Sequence, residues 1–288
     1  MCIRDSPATL KNIKSLKKDG HIFVGPDNGE MACGETGSGK MSKVDEIYKE
    51  ISYLINSSPL KGRKAIITSG PTIEPIDPVR FISNRSSGKQ GHAIASLLSK
   101  LGAETHLITG PVNIPYPENI KVTEIDTAEE MLNACMRSLP ADISIFAAAV
   151  SDWRAANQSP KKIKKSNNRN TDMNILFEQN SDILKTISKT NKNRPKLVVG
   201  FTLETENLIE SARSKMTDKS CDWIIANNHI QNNKSVFDSE MNEVTFLANT
   251  LEENWGLISK KSVAEKLCNK IIEYFDNCLL YTSDAADE

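Results

Sequence analysis

Between residues 62 and 276, short apolar runs rich in β-branched residues alternate with amphipathic stretches of helical period. That alternation restricts what the chain can fold into more than any other feature. The spacing predicts strands over 65–69, 104–109, 120–125, 142–149, 174–178, 196–201, 222–227 and 243–249. Helices are predicted over 88–101, 127–138, 181–190, 204–216 and 260–276, and Thr127 with Glu130 has the pattern of a capping box. Strand and helix in turn over this length imply an α/β protein: a doubly wound, mostly parallel sheet with helices on both faces. Ligands of such sheets sit beyond the carboxyl ends of the strands, so functional residues are expected just after each strand.

The first strand leads into the most informative stretch, Lys64 to Gly91, KAIITSGPTIEPIDPVRFISNRSSGKQG. A βα loop usually has about 2–6 residues, and this one has about 18, stiffened by Pro71, Pro75 and Pro78. Its length suggests function rather than simple connection. It closes on Ser86-Ser87-Gly88-Lys89, which opens the next helix. Free backbone N–H groups there, beside two hydroxyls and a lysine, form an anion site suited to phosphate.

Composition removes several classes of function. A net charge of −1 leaves no electrostatic footprint for nucleic acid or an anionic membrane. No apolar run approaches the roughly 20 residues of a spanning helix, and the N-terminus has no signal-peptide pattern. The six cysteines, at 2, 33, 135, 221, 268 and 278, show neither C-x-x-C nor zinc-ligand spacing, which fits a reducing cytoplasm. His92, His106 and His229 likewise lack metal-ligand spacing and read as structural. Residues 1–6 (MCIRDS) and 278–288 (CLLYTSDAADE) resemble translated sequencing adaptor. Both are set aside, with the expectation that the native protein extends further at its N-terminus.

Residues 7–43 contain a short basic helix from Leu10 to Lys18, a strand-like HIFV at 21–24, and a glycine-rich segment bearing Cys33. Gly34 to Lys40 matches G-x-x-x-x-G-K, but Met41 stands where a magnesium-binding Ser or Thr is needed, and the nearest strand lies well upstream. The phosphate-loop reading is rejected. A helix from Val44 to Ile55 and an Asn-Ser-Ser-Pro linker complete a 44–61 segment.

Past the predicted strand 142–149, small residues Ala147, Ala148 and Ala149 let backbone approach a flat ring, and Asp152 can accept from ribose hydroxyls or hold a cation. The run Lys161-Lys162-Ile163-Lys164-Lys165 reads either as a solvated loop or as one or two lysines facing a polyphosphate. Phe201 at a strand tip is either a core residue or a stacking face. Lys215 and Lys219, at i and i+4, either reach one anion together or are simply solvated.

SGPTIEPIDPVRFISNRSSGKQG at 69–91 resembles the signature of the phosphopantothenate–cysteine ligase family. That is the C-terminal half of the bifunctional coenzyme A biosynthesis proteins, whose N-terminal half is an FMN-dependent decarboxylase. The likeness continues through AAAVSDW at 147–153, KIKK at 162–165, NSDI at 180–183, VGFTLETE at 199–206 and ANN at 226–228. Ser181, Ser151 and Asn228 depart from the family's usual Pro, Ala and Asp. Upstream, residues 7–43 resemble the last segment of the decarboxylase with its cysteine-bearing flap.

The resemblance implies a Rossmann-like ligase domain at 62–277. Its reaction joins 4′-phosphopantothenate to L-cysteine using CTP with Mg²⁺, through an acyl-cytidylate. It further implies that Asn84 and Arg80 hold the acyl intermediate and that Ser86, Ser87, Gly88 and Lys89 hold a phosphate. The nucleotide falls to Ala147–Ala149, Asp152, Lys162, Asn180, Ser181, Asp182, Ile183, Phe201, Lys215 and Lys219. Magnesium is expected mainly on the CTP phosphates, with Asp152 as a further ligand. Cys33 is implied as proton donor of a decarboxylase whose FMN-binding body is expected to be missing, so that activity is expected to be absent. A cytoplasmic homodimer paired through the ligase domain is expected, with no nucleic-acid or membrane partner. A non-catalytic dimerising fragment is the alternative. A nicotinamide-dependent oxidoreductase is disfavoured, because Gly70-Pro71-Thr72 stands where G-x-G-x-x-G is needed.

Overall fold

The computed structural model describes residues 6–18, 21–30, 36–55, 58–164, 174–204, 207–228 and 240–283. The chain divides after Ser57 into two compact units.

The first unit contains α1 (Pro7–Lys18), β1 (Asp27–Glu30), β2 (Thr36–Lys40) and α2 (Val44–Ile55). α1 begins three residues before the predicted start: Pro7 occupies its first position and the Ser6 hydroxyl accepts from Thr9 N–H at 3.2 Å. HIFV at 21–24 is not a strand; residues 21–26 have no regular structure, and β1 and β2 form an antiparallel ribbon just beyond. Ser42 Oγ donates to Asp27 Oδ1 at 2.9 Å across its base. Thr36 to Lys40 therefore lie in a strand rather than a helix-leading loop, in keeping with the rejected phosphate-loop reading. Cys33 and His229 lie outside the described residues.

The second unit runs through β3 (Lys64–Ser69), β4 (Ile73–Pro75), β5 (Phe81–Ser83), α3 (Lys89–Lys100), β6 (Glu104–Thr109), β7 (Lys121–Glu124), α4 (Ala128–Arg137) and β8 (Ile143–Phe146). It continues through β9 (Trp153–Ala155), β10 (Phe177–Gln179), α5 (Ile183–Ser188), β11 (Leu197–Glu204), α6 (Leu208–Lys219), β12 (Trp223–Asn228), β13 (Met241–Leu247), β14 (Glu252–Ser259) and α7 (Lys260–Ser283). Eight strands form one sheet in the order β14-β13-β12-β11-β8-β3-β6-β7. The pairs from β12 to β7 are parallel, and β13 and β14 add an antiparallel edge.

Strand alternation builds the two core layers. Ala65, Ile67, Leu107, Ile143, Ile145, Leu197, Val199, Trp223 and Ile225 face one way, against Ile94 and Leu98 of α3 and Val263 and Leu267 of α7. Ile66, Ile108, Phe146, Val198 and Ile224 face the other way, against Met131 of α4, Ile187 of α5 and Met216 of α6. Each fully buried Val, Leu, Ile or Met among them contributes roughly 1.5–3 kcal/mol. The predicted doubly wound, mostly parallel sheet with helices on both faces is what forms. The capping box is present as well: Thr127 Oγ1 accepts from Glu130 N–H at 3.2 Å and Glu130 Oε2 accepts from Thr127 N–H at 3.3 Å.

Several boundaries are corrected. The strand predicted at 142–149 stops at Phe146: Ala147 and Ala148 N–H both turn to Thr68 at the end of β3, and Ala149 pairs with the loop beyond it. The strand predicted at 174–178 is not in the main sheet; Phe177–Gln179 pairs with Trp153–Ala155 in a separate ribbon. The helix predicted from 204 starts at Leu208, since β11 runs on to Glu204. β14 and the β4–β5 hairpin were not predicted.

Pro71 forms a parallel bridge with Ala149, and Gly110, just after β6, crosses directly over it. A Cβ on Gly110 would sit 1.6 Å from the Pro71 carbonyl oxygen, a backbone atom that cannot swing aside. Gly110→Ala should therefore cost at least the roughly 1–3 kcal/mol typical of overpacking. A thermal melt checks this, and an unchanged midpoint would contradict the close approach.

Candidate functional site

From β3 the chain crosses by α3 to β6 on one side; from β8 it crosses by α5 to β11 on the other. β3 and β8 are neighbours, so their outgoing loops part and open a crevice at the carboxyl edge of the sheet. A cavity of about 510 Å³ lies there.

Its floor is backbone held by hydrogen bonds. Ala147 N–H donates to Thr68 O at 3.2 Å, Ala149 N–H to Gly70 O at 2.9 Å, and Thr72 N–H to Ala149 O at 3.3 Å. Ser151 N–H donates to Thr72 Oγ1 at 2.9 Å, and Asn84 Nδ2 to Val150 O at 2.8 Å. Thus Asn84, from the loop after β3, reaches the segment after β8, and it lines the cavity together with Ala147–Ala149 and Asp152. Among the described residues no side chain pairs with the exposed Asp152 carboxylate.

Ser86, Ser87, Gly88 and Lys89 form the wall at the start of α3. Gly88 caps that helix in a left-handed conformation, φ 71°, without any side-chain cap. The first helical N–H groups consequently lack a side-chain acceptor and lie beside the cavity. Opposite, Asp182 caps α5 by accepting from Lys185 N–H at 2.9 Å, and Asn180 Nδ2 donates to Ser151 O at 2.9 Å. These place Asn180, Ser181, Asp182 and Ile183 along one rim. Phe201, from β11, also lines the cavity, with part of its ring against the core.

α6 supplies Lys215 and Lys219 to the same wall. Lys215 Nζ lies 2.6 Å from Glu204 Oε1 and donates to Thr202 Oγ1 at 3.0 Å; Lys219 Nζ lies 3.2 Å from Asp182 Oδ2. Burial works against the ionised Glu204 carboxyl, but hydrogen bonds from Lys215 and Thr202 and the charge of Lys215 outweigh it and hold the group below the usual carboxylate range. Lys89 pairs with Glu240 at the far rim. The cavity lining itself carries Arg85, Lys89, Lys215, Lys219 and Lys260 against Asp152 and Asp182. Although Glu204 and Glu240 outside the lining pair with Lys215 and Lys89, the wall that a ligand meets is cationic, as suits a polyphosphate.

Arg80 and Lys162 are not among the lining residues. Asp77, buried, accepts from Val79 N–H, Arg80 N–H and Ile163 N–H, and Arg80 pairs with it while donating to Ile163 O. Lys162 is exposed on the segment fastened to that loop. Arg80 and Lys162 thus sit close in the fold but beside the cavity rather than in it. Sequence reasoning gave no role to Arg85, Gln90, Thr202, Asn242 or Lys260, all of which line it, whereas Asn227, at the end of β12 with an amide available for hydrogen bonding, was within the 226–228 stretch and lines it too. Asn242 lies in β13, just before the predicted start of that strand at 243, and Lys260 follows the unpredicted β14; Arg85 and Gln90 were legible only as members of the 69–91 stretch.

The described residues contain no helix long and apolar enough to cross a membrane. A family model described as DNA/pantothenate metabolism flavoprotein C-terminal domain matches residues 60–275, and one described as Flavoprotein matches residues 1–56. The chain is 39% identical over 275 residues to a protein named cysteine/cysteine sulfinic acid decarboxylase from an unknown prokaryotic organism, covering 92% of this chain and 75% of that one. It is 37% identical over 273 residues to the coenzyme A biosynthesis bifunctional protein CoaBC of Haemophilus influenzae, covering 94% of this chain and 67% of the relative. The protein of the same name from Vibrio vulnificus is 36% identical over 265 residues, covering 92% and 65%. The chain thus spans about two thirds to three quarters of the length of these relatives.

Among solved structures, the C-terminal domain of a CoaBC protein superposes with a TM-score of 0.64 at 33% identity, covering 77% of this chain and all of that domain. The DNA/pantothenate metabolism flavoprotein from Streptococcus pneumoniae shares the fold, with a TM-score of 0.61 at 24% identity, covering 74% of this chain and all of that one. On its sheet, its cavity at the β3–β8 divergence and the match over 60–275, the chain belongs to the DNA/pantothenate metabolism flavoprotein C-terminal domain family, with the coenzyme A biosynthesis bifunctional proteins among its relatives.

Proposed function

We propose that this chain is a phosphopantothenate–cysteine ligase of coenzyme A biosynthesis. The carboxylate of 4′-phosphopantothenate attacks the α-phosphorus of CTP, pyrophosphate leaves, and an acyl-cytidylate forms. The amine of cysteine then attacks the acyl carbon, giving 4′-phosphopantothenoylcysteine and CMP. The observation that supports this best is one cavity lined by Asn84, the start of α3 at Ser86–Lys89, and the lysines of α6.

Both steps bring anions together, so fixed cations and N–H groups must lower their repulsion. Lys215 and Lys219 hold the phosphate chain, and Ser86–Lys89 donate to a phosphate from the helix start. Asp152 takes the ribose hydroxyls, and Ala147–Ala149, Asn180–Ile183 and Phe201 fit around the nucleoside. Asn84, held by Val150 O, presents its amide to the acyl intermediate. Arg80 and Lys162 act from the adjoining loops. Mg²⁺ would arrive on the CTP phosphates; among the described residues no three metal-ligating side chains converge. Its chemistry is charge neutralisation on the phosphates. In a longer parent protein an FMN-bearing domain decarboxylates the product, with Cys33 as proton donor. The ligase reading is preferred to decarboxylation because the cavity is built wholly from the second unit.

The protein acts in the cytoplasm as a homodimer. Its pairing surface is the two ribbons β4–β5 and β9–β10, with the turn after β4 tied to the segment after β9 by Ser159 N–H to Ile76 O at 2.9 Å. They expose Val79 (59%), Phe81 (57%), Trp153 (53%) and Leu176 (71%). Phe81→Asp with Leu176→Asp should yield a monomer by sedimentation; an unchanged species would contradict this surface.

CTP, phosphopantothenate and the chain should release pyrophosphate, and adding cysteine should release CMP. Absence of pyrophosphate would end the ligase reading. Asn84→Asp should form or retain the acyl-cytidylate poorly, and Lys162→Gln should stall its conversion, each by about a hundredfold or more. Wild-type turnover in both would remove them from the site.

A further inference from the structure

The Gly88 carbonyl is engaged beyond the needs of a helix start. It accepts from His92 N–H at 3.1 Å, closing the first turn of α3. It also accepts from Ser69 Oγ at 2.9 Å and lies 3.0 Å from His92 Nδ1. Ser69 Oγ is itself 3.0 Å from the same ring nitrogen. Both side chains are buried, and neither lines the cavity.

Proton positions follow from the partners. A carbonyl can only accept, and a bare Nδ1 would face its lone pairs, so Nδ1 carries the proton. Nε2 is then bare, and it is buried with no hydrogen-bond partner among the described residues. Burial, opposed by the bond to Gly88, keeps the ring below its ordinary pKa and hence neutral near pH 7. The imidazole serves the Gly88 carbonyl.

The peptide from Gly88 to Lys89 is planar, so its C=O and N–H point opposite ways. Three donors hold the oxygen toward β3 and the body of α3. The Lys89 N–H is thereby turned away from the core, where Gly88, Lys89 and Gln90 border the cavity. Packing removes slack: a Cβ on Gly88 would meet Val112 Cγ1 at 2.7 Å, and one on Gly91 would meet Ser69 Oγ at 2.5 Å.

We propose that Ser69 and His92 are positioning residues that fix the Gly88–Lys89 peptide so its N–H donates to a phosphate oxygen of the nucleotide substrate. This rests on the phosphate role given above to Ser86–Lys89. The test uses the full chain, with steady-state kinetics in CTP and calorimetry with inorganic pyrophosphate. His92→Phe keeps a ring and loses the donor; Ser69→Ala loses the other. Each should raise KM for CTP and Kd for pyrophosphate about tenfold, as expected for a lost hydrogen bond to a charged group, with kcat much less changed.

His92→Asn, whose amide can donate from the Nδ1 position, should restore most of the affinity. Thermal melts of every variant separate folding from positioning. Variants that melt earlier yet bind CTP and pyrophosphate like the wild type would overturn the proposal, as would no recovery in a folded His92→Asn. A wild-type chain that makes no pyrophosphate from CTP and phosphopantothenate would instead defeat the ligase reading.

Discussion

The hydrogen bonds that stitch the loop after β3 to the segment after β8 are what the rest of the site depends on. Two parallel neighbours whose crossovers leave in opposite directions must open a crevice, but nothing in that topology makes the crevice rigid. Rigidity comes from Ala149 and Thr72 pairing as if the strands continued, and from Ser151 and Asn84 tying in the next turn. Each such bond is worth roughly 0.5–1.5 kcal/mol net. Their joint effect is to hold a loop of unusual length against a second strand, so that side chains from both act on one volume.

The charges are arranged to the same end. Lys215, Lys219 and Lys89 each have a carboxylate partner, in Glu204, Asp182 and Glu240. These pairs are partly exposed and add little to stability. They do hold flexible side chains near the cavity wall before an anion arrives, and an arriving polyphosphate must compete with the carboxylates for them. Anion affinity at this wall therefore depends on ionic strength. The start of α3 differs in kind: its N–H groups have no side-chain cap to displace.

Much of the fold was legible because strand and helix periods are local properties. β3, β6, β8, β11 and β12 are short β-branched runs whose alternate residues feed two core layers, and that pattern survives any tertiary context. Thr127 and Glu130 were readable for the same reason, since a capping box spans four residues. The failures came where pairing is non-local. Phe177–Gln179 has strand character, yet its partner is a ribbon strand at 153–155 rather than the sheet. β14 carries Gly256 at positive φ and a register shift against β13, which break the alternation that would have revealed it. The 69–91 stretch announced a site through its length and chemistry. That Arg80 would turn to Asp77 and the 163 segment, outside the cavity lining, depends on a buried carboxylate whose partners lie over eighty residues apart in sequence.

The most direct measurement is a crystal structure of the chain soaked with CTP and 4′-phosphopantothenate. The acyl group is predicted beside Asn84 at the β3–β8 divergence, with phosphate oxygens against the start of α3 and the α6 lysines. A nucleotide bound elsewhere, or an acyl group beyond reach of the loop after β3, would contradict it.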